Sequence, residues 1–131
     1  MNITAMESLI ARHIQAELDG DLDAAVSMYT DDISHDFVGT PAPVVGRSEA
    51  RKVYEDLGAA LFTEEMTLVR LYHGDDFCVT EHDFTAVVKG PFPGVPPGAR
   101  RVQGRLLHIF EFRDELISRE NIWAGPFSPL P

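Results

Sequence analysis

The sequence predicts an α+β fold, with three N-terminal helices packed on one face of a strongly bent, mostly antiparallel sheet. Two observations lead there. Helical hydrophobic spacing fills the N-terminal part, broken by one short strand, and from Met66 onward the spacing alternates with a period of two. The helical and alternating parts do not interleave, so a parallel βαβ plan is not indicated.

Each element follows from its own residues. Met6, Leu9, Ile10, Ile14 and Leu18 recur at helical spacing and make the first helix amphipathic. It should stop near Asp19-Gly20, where glycine suits the left-handed turn after a helix. Asp21 can cap a second short helix, Leu22 to Tyr29, with acidic residues in its first turn. Asp31-Asp32 opens a strand to about Val38, and Thr40-Pro41-Ala42-Pro43 breaks regular structure. Ser48 is a natural cap for a third helix, whose buried stripe is Ala50, Val53, Tyr54, Leu57 and Leu61. After Phe62 the period changes. Met66 to Tyr72 reads as a strand, Gly74-Asp75-Asp76 as a turn, and Phe77 to Lys89 as a long strand. Gly90 to Gly98 holds four prolines and cannot be a central strand; it reads as a lid or as a stiff connector. Arg101 to Phe112 and Leu116 to Trp123 are the last strands, joined by a turn at Arg113-Asp114-Glu115, and Pro126 to Pro131 is irregular. At 131 residues this is one expected domain, residues 1–131.

Composition narrows the function. A hydrophobic content of 44% is enough to bury a core and still line a cavity. A formal net charge of −10 argues against nucleic acid and against anionic membrane surfaces, and is expected to serve solubility. No apolar run approaches the length of a membrane span, and the first residues lack the pattern of a secretory signal. Cys78 stands alone, which excludes an internal disulfide and a thiolate metal cluster and fits a cytoplasmic location. No His-x-His or His-x-x-x-His pair is present, so no metal and no cofactor are expected.

Strand parity then places side chains. Thr80, His82, Phe84, Ala86 and Val88 share one face, and so do Leu106, His108, Phe110 and Phe112 on the next strand. His13 falls within the apolar stripe of the first helix, between Ile10 and Ile14. A lone histidine on an apolar face is usually a satisfied core residue, but histidines converging from separate elements read equally as a polar site inside a greasy pocket. Asp36 is a further candidate, delivered by the first strand. There parity points two ways: alternation of Ile33, His35 and Phe37 puts His35 on the apolar face and Asp36 on the other, which is either a cavity wall or the outside. Glu120 shares a face with Ile122 and can reach the pocket, while Trp123, Tyr29 and Tyr54 are read chiefly as packing residues.

The segments Gly20-Asp21-Leu22-Asp23-Ala24-Ala25-Val26, Tyr29-Thr30-Asp31-Asp32, Asp36-Phe37-Val38-Gly39-Thr40 and Gly46-Arg47-Ser48-Glu49-Ala50 resemble the nuclear-transport-factor-2-like (NTF2-like) superfamily. Within it the chain resembles the ketosteroid isomerases and, through Gly94 to Val102 and Phe110-Glu111-Phe112-Arg113-Asp114, the SnoaL-like polyketide cyclases. The resemblance spans about Glu7 to Trp123 and implies the cone-shaped, cystatin-like α+β fold. It puts the isomerase aspartate at Asp36, in a matching Asp-x-Val-Gly context, its oxyanion tyrosine at His13 and its protonated aspartic acid at His108. The cyclases likewise carry a histidine at the His108 position, while their catalytic aspartate falls at Ile122. Scytalone dehydratase pairs two histidines on neighbouring strands, as His82 and His108 are disposed here. The Arg-x-Asp pair of limonene epoxide hydrolases reads His82 and Phe84, so that activity is not implied.

The expected function is therefore a cofactor-independent isomerase, cyclase or dehydratase acting on a hydrophobic ketone or polyketide-like molecule. Asp36 would be the general base, raised by an apolar pocket. His108 and His13 would donate to the developing oxyanion, each such donor being worth roughly 3–4 kcal/mol in a dry site. His82 would be a second acid, and Tyr54, Phe84, Phe110, Glu120, Ile122 and Trp123 would contact substrate. The alternative is a non-catalytic ligand-binding or assembly module of the same fold. Val87, Leu107, Ile109 and Trp123 on the sheet's outer face predict a homodimer.

Overall fold

The structure, a computed structural model, describes residues 1–39 and 42–131. The expected break at Thr40-Pro41 lies outside the described residues. Helices α1 (Ile3–Leu18) and α2 (Leu22–Ser27) come first, followed by β1 (Tyr29–Phe37), β2 (Val44–Val45) and α3 (Arg47–Ala60). Four long strands complete the sheet, β3 (Leu61–His73), β4 (Phe77–Val88), β5 (Arg101–Arg113) and β6 (Leu116–Ala124), with a short β7 (Ser128–Pro129) at the end. The strand order is β2-β1-β6-β5-β4-β3, with β7 beside β5. All pairings are antiparallel except β1 with β6, where the chain has crossed over the sheet. This is the predicted α+β architecture. No helix is long and apolar enough to cross a membrane among the described residues.

Local chemistry explains the boundaries. The Asn2 side chain caps α1 by accepting from the Ala5 amide at 2.8 Å, and Asp21 caps α2 through the Ala24 amide at 3.1 Å. α3 departs from expectation: Gly46, at φ 96°, holds the cap position with no side-chain bond, and Ser48 lies inside the first turn. α2 stops at Ser27 and Tyr29 opens β1, because Met28 closes the helix and the Tyr29 ring, fully buried, turns into the core. β3 starts at once after α3, earlier than the alternation suggests. The register slips between Thr63 and Glu65 and again between Leu68 and Arg70, and such bulges scramble a period-two pattern.

Two apolar clusters form the core. Met6, Leu9, Ile10, Tyr29, Ile33, Phe110 and Ile117 pack α1 onto β1, β5 and β6. Ala60, Leu61, Phe84, Ala86 and Val102 form a smaller one at the far end, joined by Phe92, Val95 and Phe127. The proline-rich segment is strapped to the end of α3. The amides of Lys89 and Gly90 donate to the Ala60 carbonyl at 2.7 and 3.1 Å, and Lys89 Nζ donates to the Gly58 carbonyl at 2.8 Å. Between the clusters the helix layer stands off the sheet, and that gap holds the site.

Candidate active site

Five elements bring ionisable groups to one point. α1 supplies His13 and Glu17, four residues apart and so on one helix face. α3 supplies Tyr54. β1 supplies Tyr29 and, two residues after Ile33, His35. β5 and β6 supply His108 and Glu120 from their inner faces. Glu120 is 1% exposed and His13 is wholly buried.

The contacts form a knot around Glu120. Tyr29 donates to Glu120 Oε2, and Tyr54 reaches the same oxygen at 3.0 Å and Glu17 Oε1 at 2.7 Å. The two phenol oxygens are themselves 2.5 Å apart. His13 Nδ1 donates to the Ala25 carbonyl at 3.0 Å, which turns Nε2 toward Glu17 Oε1 at 2.6 Å and Glu120 Oε2 at 3.3 Å. His108 Nε2 lies 3.5 Å from Glu120 Oε1, and His35 Nε2 lies 3.9 Å from Glu120 Oε2. Below them the His108 ring stacks on Phe110, with centroids 5.2 Å apart, and meets the His82 ring edge-on at 6.1 Å.

Proton affinities follow from this packing. Burial alone would strip the His13 proton, but the charges of Glu17 and Glu120 and the hydrogen bonds to them override it, and its pKa is pushed up to about 10. Burial would likewise favour a neutral Glu120, yet the His13 hydrogen bond and the nearby imidazoles hold its carboxyl well below the usual range. His13 is thus an imidazolium and Glu120 a carboxylate, a paired buried charge. Burial, with the neighbouring carboxylates partly opposing it, lowers His108. Burial and then His108 push His82 down to about 4. Both are neutral rings near pH 7. Burial first, and then the charge of Glu120, drive Tyr29 and Tyr54 well above the usual phenol range, so both keep their protons.

The knot closes one end of a cavity of about 450 Å³. Glu17, Tyr54 and His108 line it directly, and the rest of its wall is largely apolar, with Phe37, Leu57, Met66, Phe84, Leu106 and Ile122 prominent. Glu120, His13 and Tyr29 stand behind that polar end.

Of the residues singled out in the sequence, the structure brings His108, Tyr54, Phe84 and Ile122 together in the cavity wall, with Glu120 and His13 behind them. His82 and Phe110 are buried beneath His108 rather than in the wall. Two residues fall elsewhere. Asp36 pairs in register with Asn121, on the opposite face of the sheet from His35 and Glu120, and accepts from Asn121 Nδ2 at 3.0 Å. Its side chain is 27% exposed and Arg119 lies 3.9 Å away. The structure therefore separates Asp36 from His108 by the thickness of the sheet. Trp123 shares that outer face, half-exposed, and donates from Nε1 to Asn121 Oδ1 at 2.5 Å. It does not line the pocket. Of the remaining knot residues, the sequence reading left Glu17 unnamed, took Tyr29 chiefly as packing, and put His35 on the apolar face without giving it a role. Helical spacing from His13 marks Glu17, and parity with Ile33 and Phe37 marks His35.

His13, Glu17 and Glu120 each offer a metal-ligand atom, all within 4.8 Å of one another, and their chemistry suits a divalent cation. The proton on His13 already supplies the compensating positive charge there, and both phenols bond to Glu120 Oε2.

An NTF2-like cone with a buried acid/base knot at the end of an apolar pocket is the class that fold and site define. The SnoaL-like domain family matches residues 10–120, and the chain belongs to that family. No curated protein matches. Among solved structures, TsrD from Streptomyces laurentii superposes with a TM-score of 0.78 at 21% identity, over 95% of this chain and 91% of that one. A provisionally named polyketide cyclase from Silicibacter sp. TM1040 gives 0.78 at 18% identity, over 95% and 92%. A provisionally named isomerase from Bacillus subtilis gives 0.79 at 16%, over 96% and 91%. At these identities the likeness is one of fold.

Proposed function

We propose that the chain is a cofactor-independent acid/base enzyme that moves a proton at carbon next to a carbonyl in a hydrophobic small molecule. One observation carries this reading. His108 and Tyr54 both line the closed end of one apolar cavity, and the Glu120 carboxylate stands behind both, 3.5 Å from the imidazole and 3.0 Å from the phenol.

His108 takes the role of proton acceptor, because Asp36 is on the wrong side of the sheet. A neutral imidazole is available as a base near pH 7, and the imidazolium formed when it takes a proton faces the Glu120 carboxylate. This division of labour, a carboxylate steadying a histidine that turns cationic, is the logic of a catalytic triad's acid and base. Tyr54 keeps its proton, which rests on the carboxylates, and swings its O–H toward the cavity to donate to the developing enolate oxygen. Glu17, held to Tyr54 and His13, anchors the phenol oxygen at the cavity wall. His13 acts through these groups rather than on substrate. Isomerisation, cyclisation and dehydration share this proton transfer and differ in where the proton is returned.

The test is solvent-deuterium exchange into a panel of apolar cyclic ketones, followed by proton NMR, with mass spectrometry of molecules that co-purify with the protein. Exchange above background is expected, falling about 10²-fold in His108→Gln and unchanged in Asp36→Asn. Bound ligand with no exchange across the panel would favour a binding module instead. The half-buried Val87, Leu107 and Ile109 and the exposed Trp123 on the outer face support a homodimer. A monomer at micromolar concentration in sedimentation velocity would contradict it.

A further inference from the structure

A second cavity, of about 350 Å³, lies against the first. The two share Phe37, Leu57, Phe92, Ala124 and Phe127, so one wall separates them. Phe37, Leu57 and Ala124 belong to long strands or to α3, and Phe127 sits between two backbone anchors, the Gly125 amide on the Arg105 carbonyl and the β7 pairing with β5. Phe92 has no such anchors beside it among the described residues: it stands on the proline-rich strap and is held by side-chain contacts. Its ring meets Phe37 edge-on at 5.9 Å and Phe127 at 5.9 Å. The Phe92 carbonyl accepts from the Val95 amide at 3.2 Å, within the strap's own turn. The strap is fixed at its base, on the Ala60 and Gly58 carbonyls, and Phe92 lies two residues beyond the last of those bonds, at Gly90. The ring is therefore the part of the wall that moves at least cost.

The lining also carries a charge pattern. The carboxylates on it are Glu17, Asp19 and Glu55 in the first cavity and Asp56 in the second, and neither wall includes a lysine or arginine among the described residues. A carboxylate, phosphate or sulfate on the ligand would meet only like charge, in a protein whose net charge is already −10. An uncharged group meets no such penalty, and a cationic one is attracted.

We propose that the binding site continues past Phe92 into the second chamber, that Phe92 is its movable partition, and that the site takes an elongated apolar molecule whose polar groups are uncharged or cationic, never anionic. The head of that molecule would lie against His108 and Tyr54, and its far end between α3 and the strap. The inference rests on the pocket of the proposed reaction but not on its chemistry, so binding alone decides it.

The test uses fluorescent pyrene probes that differ only in length or in end group: pyrenemethanol, pyrenedecanol, pyrenedecanoate and pyrenedecyl-trimethylammonium. Phe92→Ala should tighten pyrenedecanol roughly tenfold, the value of the two edge-to-face contacts that opening must otherwise break. Pyrenemethanol, which fits the first chamber, should bind unchanged, and that also shows the variant is folded. Adding Val53→Trp, which fills the second chamber from α3, should cancel the gain. Pyrenedecanoate should bind wild type more than roughly tenfold more weakly than the alcohol, and the ammonium probe at least as well as it. Equal effects of Phe92→Ala on short and long probes would overturn the partition. Equal binding of carboxylate and alcohol would overturn the ligand class. Neither outcome depends on whether ketone exchange is observed, so this inference and the proposed reaction can fail separately.

Discussion

The two faces of the β1–β6 pair differ by one residue in each strand and belong to different chemistries. On the inner face His35 lies opposite Glu120, both almost fully buried, among phenols, imidazoles and a cationic His13. On the outer face Asp36 lies opposite Asn121, one position along, beside Arg119 and near water. The crossover that makes β1 parallel to β6 sets this register, and the pleat does the rest. An acid on the inner face is desolvated and must be paired, so it becomes chemically useful. An acid on the outer face has water to solvate it, and its hydrogen bond to Asn121 is one contact among several that it can make.

The largest contrast is expected from removing the inner acid. Glu120→Ala leaves the His13 imidazolium with Glu17 alone and leaves the buried Tyr29 phenol without its carboxylate acceptor, while Tyr54 keeps Glu17. Breaking a buried pair in this way costs about 3–5 kcal/mol. Urea unfolding should show a midpoint far below wild type, whereas Asn121→Ala, on the neighbouring outer position, should cost about 1 kcal/mol. Equal losses at the two positions would break the comparison.

Next in size is the alkaline limb of stability. His13 has a folded-state pKa of about 10 against 6.5 for an ordinary histidine. The folded protein therefore binds the extra proton, and the resulting stability is fully present below pH 6.5 and lost as pH rises through about 10. The loss is on the order of a few kcal/mol. The urea midpoint should fall steadily from neutral pH to pH ~10, and His13→Asn should flatten that slope while lowering the starting value.

How much of this the sequence shows depends on which residue is asked about. The helices, the late meander and the inward positions of His13, His82, His108 and Glu120 follow from period and parity, because burial of one face leaves a repeating mark. Parity also puts His35 on the apolar face, but it leaves Asp36 open between a cavity wall and the outside. The family resemblance favours Asp36, through an Asp-x-Val-Gly match that carries no information on which side of the pleat the acid lies. Tyr29 was hidden because a short helix and a strand meet at that residue, and its role depends on the turn at Met28. The knot itself was not legible. Its members come from α1, α3 and four strand positions, and only the crossing of α1 over the sheet sets their separations. The early start of β3 was masked by bulges that shift its phase.

A smaller effect is expected on the acid side. His82 is pushed down to about 4, first by burial and then by His108, so the unfolded chain takes up the proton before the folded one does. The neutral ring's stability is present above pH 6.5 and is lost as pH falls toward about 4. A His82→Gln variant should lose about 1–2 kcal/mol less than wild type between those pH values in urea titrations. An unchanged acid limb would mean that the ring meets more water than its packing under His108 implies.

The smallest expected effect is the most decisive for the comparison. Asp36→Asn keeps an oxygen that can still accept from Asn121 and gives up only a weak, half-solvated interaction with Arg119. Stability should stay within about 1 kcal/mol of wild type, and deuterium exchange into a ketone substrate should be unaltered. His108→Gln, made in parallel, should lose exchange while remaining folded by circular dichroism. If instead Asp36→Asn abolished exchange and His108→Gln did not, the outer face would be the reactive one. The acid/base knot would then be an internal brace whose buried charges fix how α1 lies on the sheet.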